Sequence, residues 1–86
     1  MKIELSNRAV NDLTNLKNNR KLAVKIADAI DNIAENPYCG KALVGQFAGI
    51  LSYRVGDWRI LYDIHNDHLR ILILRVAHRR EIYKKN

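Results

Sequence analysis

A single cysteine, Cys39, leaves this 86-residue chain unable to close an internal disulfide or to assemble a cysteine-based metal cluster. Nothing beside it in sequence marks the thiol as activated. Long apolar runs are missing too: Met1-Lys2-Ile3-Glu4-Leu5 passes straight into polar residues, and the longest aliphatic run near the C-terminus is Ile71 to Leu74. Neither a signal peptide nor a membrane span fits such segments, so a cytoplasmic protein without metal or other cofactor is expected. No Gly-rich phosphate loop leads into a helix, and no serine or cysteine stands beside a candidate base. His65 and His68 flank a turn with only Asp67 nearby, too thin a set for metal ligands. Repeats, linkers and low-complexity tracts are absent, and residues 1–86 read as one domain. A chain this short buries only about 60–65% of the surface its unfolded form exposes, which argues against a deep enclosed active site.

What is present is 48% apolar and 28% charged residue content with clear periodicity, the composition of a folded chain rather than a disordered one. The formal charge of +6 is unevenly spread: residues 1–37 carry six Lys or Arg against five Asp or Glu, residues 38–86 nine against four. A basic second half suggests a polyanionic partner, either nucleic acid or an acidic protein segment. A merely soluble basic surface has the same composition, so positions must separate these readings.

Ile3 and Leu5 alternate with Lys2 and Glu4 as a short opening strand, and Ser6 offers a hydroxyl to cap a helix. Val10, Leu13 and Leu16 share one face of a helix predicted near residues 7–17. After the polar break Lys17-Asn18-Asn19-Arg20, the residues Leu22, Ile26, Ile30 and Ile33 mark a longer amphipathic helix, ending near Asn36 because Pro37 disfavours helical geometry before it. Pro37 to Gly49 reads as irregular connection. From Ile50 the period changes to two, giving strands over Ile50–Val55, Trp58–Ile64 and Leu69–Val76. The turns Gly56-Asp57 and His65 to His68 are short enough for antiparallel hairpins. Arg79 to Tyr83 form a short helix or a docked tail. The fold class is α+β: a small antiparallel sheet with two N-terminal helices packed on one face, since each helix has one apolar stripe to bury.

Arg59, Leu61 and Asp63 point to one side of the middle strand, and Trp58, Ile60, Tyr62 and Ile64 to the other, which suits a helix-covered core. Arg54 and Arg59 flank the Gly56-Asp57 turn, so hairpin pairing alone brings their guanidinium groups close. They are either a functional pair or exposed arginines neutralised by Asp57 and Asp63. Arg79, Arg80 and Tyr83 lie beyond the last strand beside His78 and can fold back over the sheet. His78 is equally an ordinary partly exposed histidine, and Tyr83 an aromatic anchor for the tail. Tyr53 and Trp58 either stack on bases or stabilise each other across the hairpin. Lys41, Tyr53 and Arg80 are the candidate RNA contacts.

Arginines with one Tyr and one His are enough to cleave RNA without a metal, because RNA carries its own nucleophile, the 2′-hydroxyl, beside the scissile phosphate. The protein need only remove that proton, stabilise the phosphorane and protonate the departing 5′-oxygen. DNA cannot be cut this way.

Tyr53-Arg-Val-Gly-Asp-Trp-Arg-Ile-Leu-Tyr62 and Ile71-Leu-Ile-Leu-Arg-Val-Ala-His-Arg-Arg-Glu-Ile-Tyr83 closely resemble the C-terminal strands of RelE/ParE toxins of type II toxin–antitoxin systems. The two-helix region with its Asn-Pro exit and Leu43-Val44-Gly45 matches as well, so the resemblance spans nearly the whole chain. It implies a small antiparallel sheet packed on two helices. In the RelE branch it implies cleavage of mRNA in the ribosomal A site, with inhibition of translation; in the ParE branch, inhibition of DNA gyrase without catalysis. By this resemblance Arg59 is the strand arginine that contacts the scissile phosphate, Arg79 a second phosphate-stabilising arginine and Tyr83 the C-terminal tyrosine. Arg54 is similar to one of two basic residues on the preceding strand. The other falls near Ser52, which is not basic, and this departure makes His78 a candidate general base. A cognate RelB-like antitoxin is the implied partner, with the toxin a monomer when free. Arg59, Arg79 and Tyr83 together favour the nuclease over its alternative, the ParE-like gyrase inhibitor.

Overall fold

Ser6 ends the first strand and starts the first helix. Its hydroxyl accepts a hydrogen bond from the Ala9 N–H at 3.0 Å and donates one to the Leu74 carbonyl at 2.8 Å. The computed structural model describes residues 1–83. In chain order these form β1 (Lys2–Leu5), α1 (Asn7–Asn15), α2 (Arg20–Glu35), β2 (Lys41–Ala42), β3 (Leu51–Val55), β4 (Trp58–His65) and β5 (Arg70–His78). Short 3-10 turns lie at Pro37–Cys39, Gly45–Phe47 and Asn66–His68. The Asn19 side chain caps α2 by accepting from the Leu22 N–H, and Pro37 stops the helix from running past Asn36.

As expected, the architecture is α+β with both helices on one face of a sheet, here of five strands in the order β1-β5-β4-β3-β2. The sheet is mixed, however, not antiparallel throughout: β1 runs parallel to β5, with Ile3 opposite Ile71. Alternation within Lys2 to Leu5 is the same for either direction. The direction follows from the two helices, which carry the chain from the end of β1 to the opposite edge and leave β1 beside the last strand.

Ala9, Leu16, Ile26, Ala29 and Ile33 of the helices meet Ile60, Tyr62, Ile71, Ile73 and Val76 of the sheet. Each fully buried isoleucine among them contributes about 1.5–3 kcal/mol. The stripe on α1 runs through Ala9, Leu13 and Leu16, at i, i+4 and i+7, while Val10 stays 45% exposed.

Along β5 the register slips: Leu61 lies opposite Arg75 but Tyr62 lies opposite Ile73, which leaves Leu74 as the extra residue of a β-bulge. The bulge inverts the alternation of faces. Ile71 and Ile73 before it, and Val76 after it, pack toward the helices, whereas Leu74 and Ala77 lie on the open face. Asp12 of α1 holds the kink, its Oδ2 accepting from Arg75 Nε at 2.9 Å and from the Val76 N–H at 2.8 Å. Both side chains of this ion pair are mostly buried, at 16% and 14% exposure. On the open face Leu61, Ala77 and Ile82 form a second apolar cluster bordered by Leu43, Ile50 and Leu74. Residues 79–83 dock there as turns, with the Glu81 and Ile82 N–H groups donating to the His78 carbonyl. Among the described residues no helix is long and apolar enough to cross a membrane.

Asp12→Ala would strand Arg75 and the Val76 N–H in a largely dehydrated place, and is expected to cost about 2–4 kcal/mol; Asp12→Asn, which keeps an acceptor, loses less. Urea denaturation reads this as a lower midpoint at unchanged slope. A loss below about 0.5 kcal/mol for the alanine variant would mean that the bulge stands without Asp12.

A basic cleft on the open sheet face

Pairing sets Arg54 of β3 directly opposite Arg59 of β4, on the face that the helices leave uncovered. The two-residue strand β2 adds Lys41 to the same face, opposite Ser52. With Leu43 and Tyr83 these side chains line a cleft of about 350 Å³. Three of its six lining residues are cations and none is a carboxylate, so an anion entering it meets uncompensated positive charge.

The arginines are held by backbone carbonyls. Arg54 Nε donates to the Gly56 carbonyl at 3.2 Å, and Arg59 Nη1 donates to the Gly56 and Trp58 carbonyls at 2.9 and 3.0 Å. Gly56, at φ +58, supplies the left-handed corner that points its carbonyl to both. Asp57 and Asp63 do not neutralise these arginines: Asp57 faces Arg79 at 3.8 Å, and Asp63 faces His65 at 3.5 Å. Among the described residues neither Arg54 nor Arg59 is ion-paired.

Arg79 reaches the same hairpin turn by another route. Its N–H donates to the Asp57 carbonyl at 2.8 Å, and its guanidinium is 57% exposed in a loose pairing with the Asp57 carboxylate. Arg59 and Arg79 thus each contact the Gly56-Asp57 turn, Arg59 through the Gly56 carbonyl from inside the cleft and Arg79 through Asp57 from outside its lining. Tyr83, beyond the buried Ile82, sets its ring 5.4 Å from that of Phe47 and forms one wall of the cleft.

Other expected site residues fall elsewhere. His78 pairs with Trp58 on the helix-covered side, the two rings edge-on at 6.0 Å. It lines a separate depression of about 230 Å³ beside Asp12 and Leu16. Its Nδ1 accepts from the Arg80 N–H at 3.1 Å, which ties the imidazole to the corner of the chain, and His78 is outside the cleft lining. Tyr53 also packs toward the helices, its hydroxyl accepting from Asn32 Nδ2 at 3.4 Å. Arg80 is exposed and outside the cleft lining. Lys84 and Lys85, part of the basic half of the sequence, lie outside the described residues. Among the described residues no three His, Cys, Asp or Glu side chains gather as a metal-binding set.

A family model described as the ParE toxin of the type II toxin–antitoxin system parDE matches residues 3–83. The chain belongs to the RelE/ParE toxin family. Toxin RelG of Mycobacterium tuberculosis is 39% identical over 67 residues, 77% of either chain. A chain of the toxin–antitoxin complex RelBE2 from the same organism is 35% identical, with a TM-score of 0.77 over 90% of this toxin and 95% of that chain. The YoeB/ParE toxin of Agrobacterium tumefaciens, 23% identical, superposes with a TM-score of 0.82 over 91% of this toxin and 98% of its own chain, a likeness of fold.

Tyr62 is a residue of this toxin that periodicity marks only as core. Its fully buried ring ends in a hydroxyl that donates to the Pro37 carbonyl at 2.8 Å and accepts from the Gly40 N–H at 3.0 Å. It thus fixes the turn that delivers Lys41 to the cleft. A Cβ on Gly40 would lie 2.5 Å from that hydroxyl, which is why the position takes glycine. Burial pushes the Tyr62 phenol up to about 12, the Gly40 N–H pulling it down and Cys39 adding to the rise. A phenol raised in the folded state stabilises the fold fully below its unfolded value near 10, and this contribution drains away as pH rises through about 12. Wild-type toxin is accordingly expected to lose up to about 3 kcal/mol between pH 10 and 12. Tyr62→Phe should start about 1–2 kcal/mol lower at neutral pH and lack this share of the alkaline loss. Parallel alkaline limbs in urea titrations of the two proteins would rule this out.

Proposed function

We propose that this toxin is a ribosome-dependent endoribonuclease that cuts mRNA in the A site and so halts translation. The observation that carries the reading is the cleft in which Lys41, Arg54, Arg59 and Tyr83 meet without a carboxylate. A phosphodiester is an anion that such a site binds directly, and RNA brings the nucleophile that the site lacks. Loss of the 2′-hydroxyl proton lets O2′ attack phosphorus. The bond from phosphorus to O5′ then breaks, leaving a 2′,3′-cyclic phosphate and, once O5′ gains a proton, a 5′-hydroxyl. Arg59 and Arg54 stabilise charge on the phosphorane from positions already fixed by the Gly56 carbonyl, so little reorganisation opposes the reaction. Arg79 joins from the rim. An exposed ion pair of its kind is worth about 0–1 kcal/mol, too little to keep its guanidinium from turning to a phosphate. Besides the arginines, Tyr83, Lys41 and the Ser52 hydroxyl are the cleft-lining groups that can exchange a proton. Of Tyr83 and Lys41, one in its deprotonated form takes the 2′-hydroxyl proton and the other, protonated, gives one to O5′, so the transfers fall to them rather than to His78. An open cleft also suits a substrate presented by a much larger particle. A cognate RelB-like antitoxin silences the toxin by covering the same basic surface, a reading supported by likeness to a chain of the RelBE2 complex.

Translating ribosomes with a defined codon in the A site, read by primer extension, test the reading. Arg59→Ala and Arg79→Ala are each expected to slow cleavage at least about tenfold, roughly 1.4 kcal/mol or more of lost transition-state stabilisation, with the thermal midpoint nearly unchanged. A 2′-deoxy nucleotide before the scissile phosphate should abolish it. Intact mRNA with the wild-type toxin would remove the nuclease, and blocked DNA supercoiling by gyrase would put the ParE-like alternative in its place.

A further inference from the structure

The tail turn and the connection between β2 and β3 meet beside the cleft, and each is held by its own contacts. The connection is closed on itself: Leu43 N–H donates to the Ile50 carbonyl at 2.9 Å, Ile50 N–H to Phe47 at 3.1 Å and Ala48 N–H to Gly45 at 3.1 Å. Gly45 at φ +68 and Gly49 at φ +93 make the reversals that an L side chain resists. Leu43 and Ile50 seat it on the cluster of Leu61, Ala77 and Ile82. The tail is anchored in that cluster by Ile82, only 3% exposed, but Tyr83 one residue on is 42% exposed, and among the described residues its hydroxyl has no hydrogen bond. Side-chain packing alone therefore decides where its ring stands, and the ring packed against it is that of Phe47, at 5.4 Å and tilted by 59°.

We propose that Phe47 is a positioning residue for the cleft: its ring, held on a preformed loop, fixes the Tyr83 ring against Lys41, Arg54 and Arg59 and so sets the geometry in which Tyr83 acts. The functional half of this inference rests on the nuclease reading; the positional half does not. Phe47 itself is outside the cleft lining and touches the reaction only through Tyr83.

Two measurements test it. In the ribosome assay, Phe47→Ala should lower kcat about tenfold or more while KM changes less than about threefold, since a misplaced group costs rate rather than binding. Phe47→Tyr, which keeps the ring, should restore most of the rate. The pair Phe47→Ala with Tyr83→Ala should be no slower than Tyr83→Ala alone, within about twofold, because two residues that act as one unit are not additive. Multiplying effects, or a Phe47→Ala variant at the wild-type rate, overturn the proposal. NMR of tyrosine-labelled toxin reads the position without any activity. The Tyr83 ring signals should shift on Phe47→Ala while those of the buried Tyr62 stay in place. Unmoved Tyr83 signals overturn the proposal even if the wild type cleaves, and moved signals with no cleavage confine the failure to the nuclease reading.

Discussion

One carboxylate fixes the phase of the last strand, and the geometry of the cleft follows from it. Asp12, on a helix packed against β5, accepts from both Arg75 and the Val76 N–H and so holds the chain in its bulged path. Without the inversion of faces at the bulge, Ile73, Arg75 and Ala77 would share one side, and Leu74 and Val76 the other. With it, Leu74 and Ala77 face away from the helices and offer a seat to Ile82. That seat turns the tail back over the sheet, and the tail brings Tyr83 to the arginines. A dehydrated ion pair contributes little net stability on average, but as the fixture of a single register it has a structural consequence far beyond its energy.

The cleft shows the opposite electrostatic arrangement. Lys41, Arg54 and Arg59 stand close together with carbonyl oxygens in place of carboxylates, a choice that keeps the guanidinium groups oriented while leaving their charge unspent. Like charges so arranged repel, and the folded chain tolerates this because the cleft is open to water on a surface that the core does not need. The stability comes from the other face, where the aliphatic residues of two helices and four strands interlock. A chain of 86 residues cannot enclose a site as well as a core, so the basic residues occupy the sheet face left over after the helices are docked.

Much of this was legible in the residues themselves, since local chemistry decides it. Ser6 as a cap, the polar break before Arg20, Pro37 as a stop, the Gly56-Asp57 hairpin and the change of period after Gly49 place both helices and strands β1, β3, β4 and β5 within a residue or two, whereas the short β2 falls inside the segment that reads as irregular connection. The same pattern sets Arg54 against Arg59 and separates the basic half from the rest. These features depend on neighbours a few positions apart, where capping, φ preference and side-chain alternation act.

The direction of β1, the burial of Ala9 instead of Val10, and the membership of the cleft were decided only by tertiary structure. Strand direction and the pairing of β1 with β5 join residues more than sixty positions apart, and nothing in a four-residue alternation records them. A single bulge reverses the facing of everything after it, so alternation along β5 could not tell that His78 turns to the helix side while Ala77, its neighbour, lies beneath the tail. Lys41 enters the cleft because Tyr62, on another strand, ties down the turn before it, and Tyr83 because Ile82 finds a hollow made by three separate segments. Local sequence sets what each segment is. Which side chains finally face one another depends on long-range packing, which local sequence does not encode.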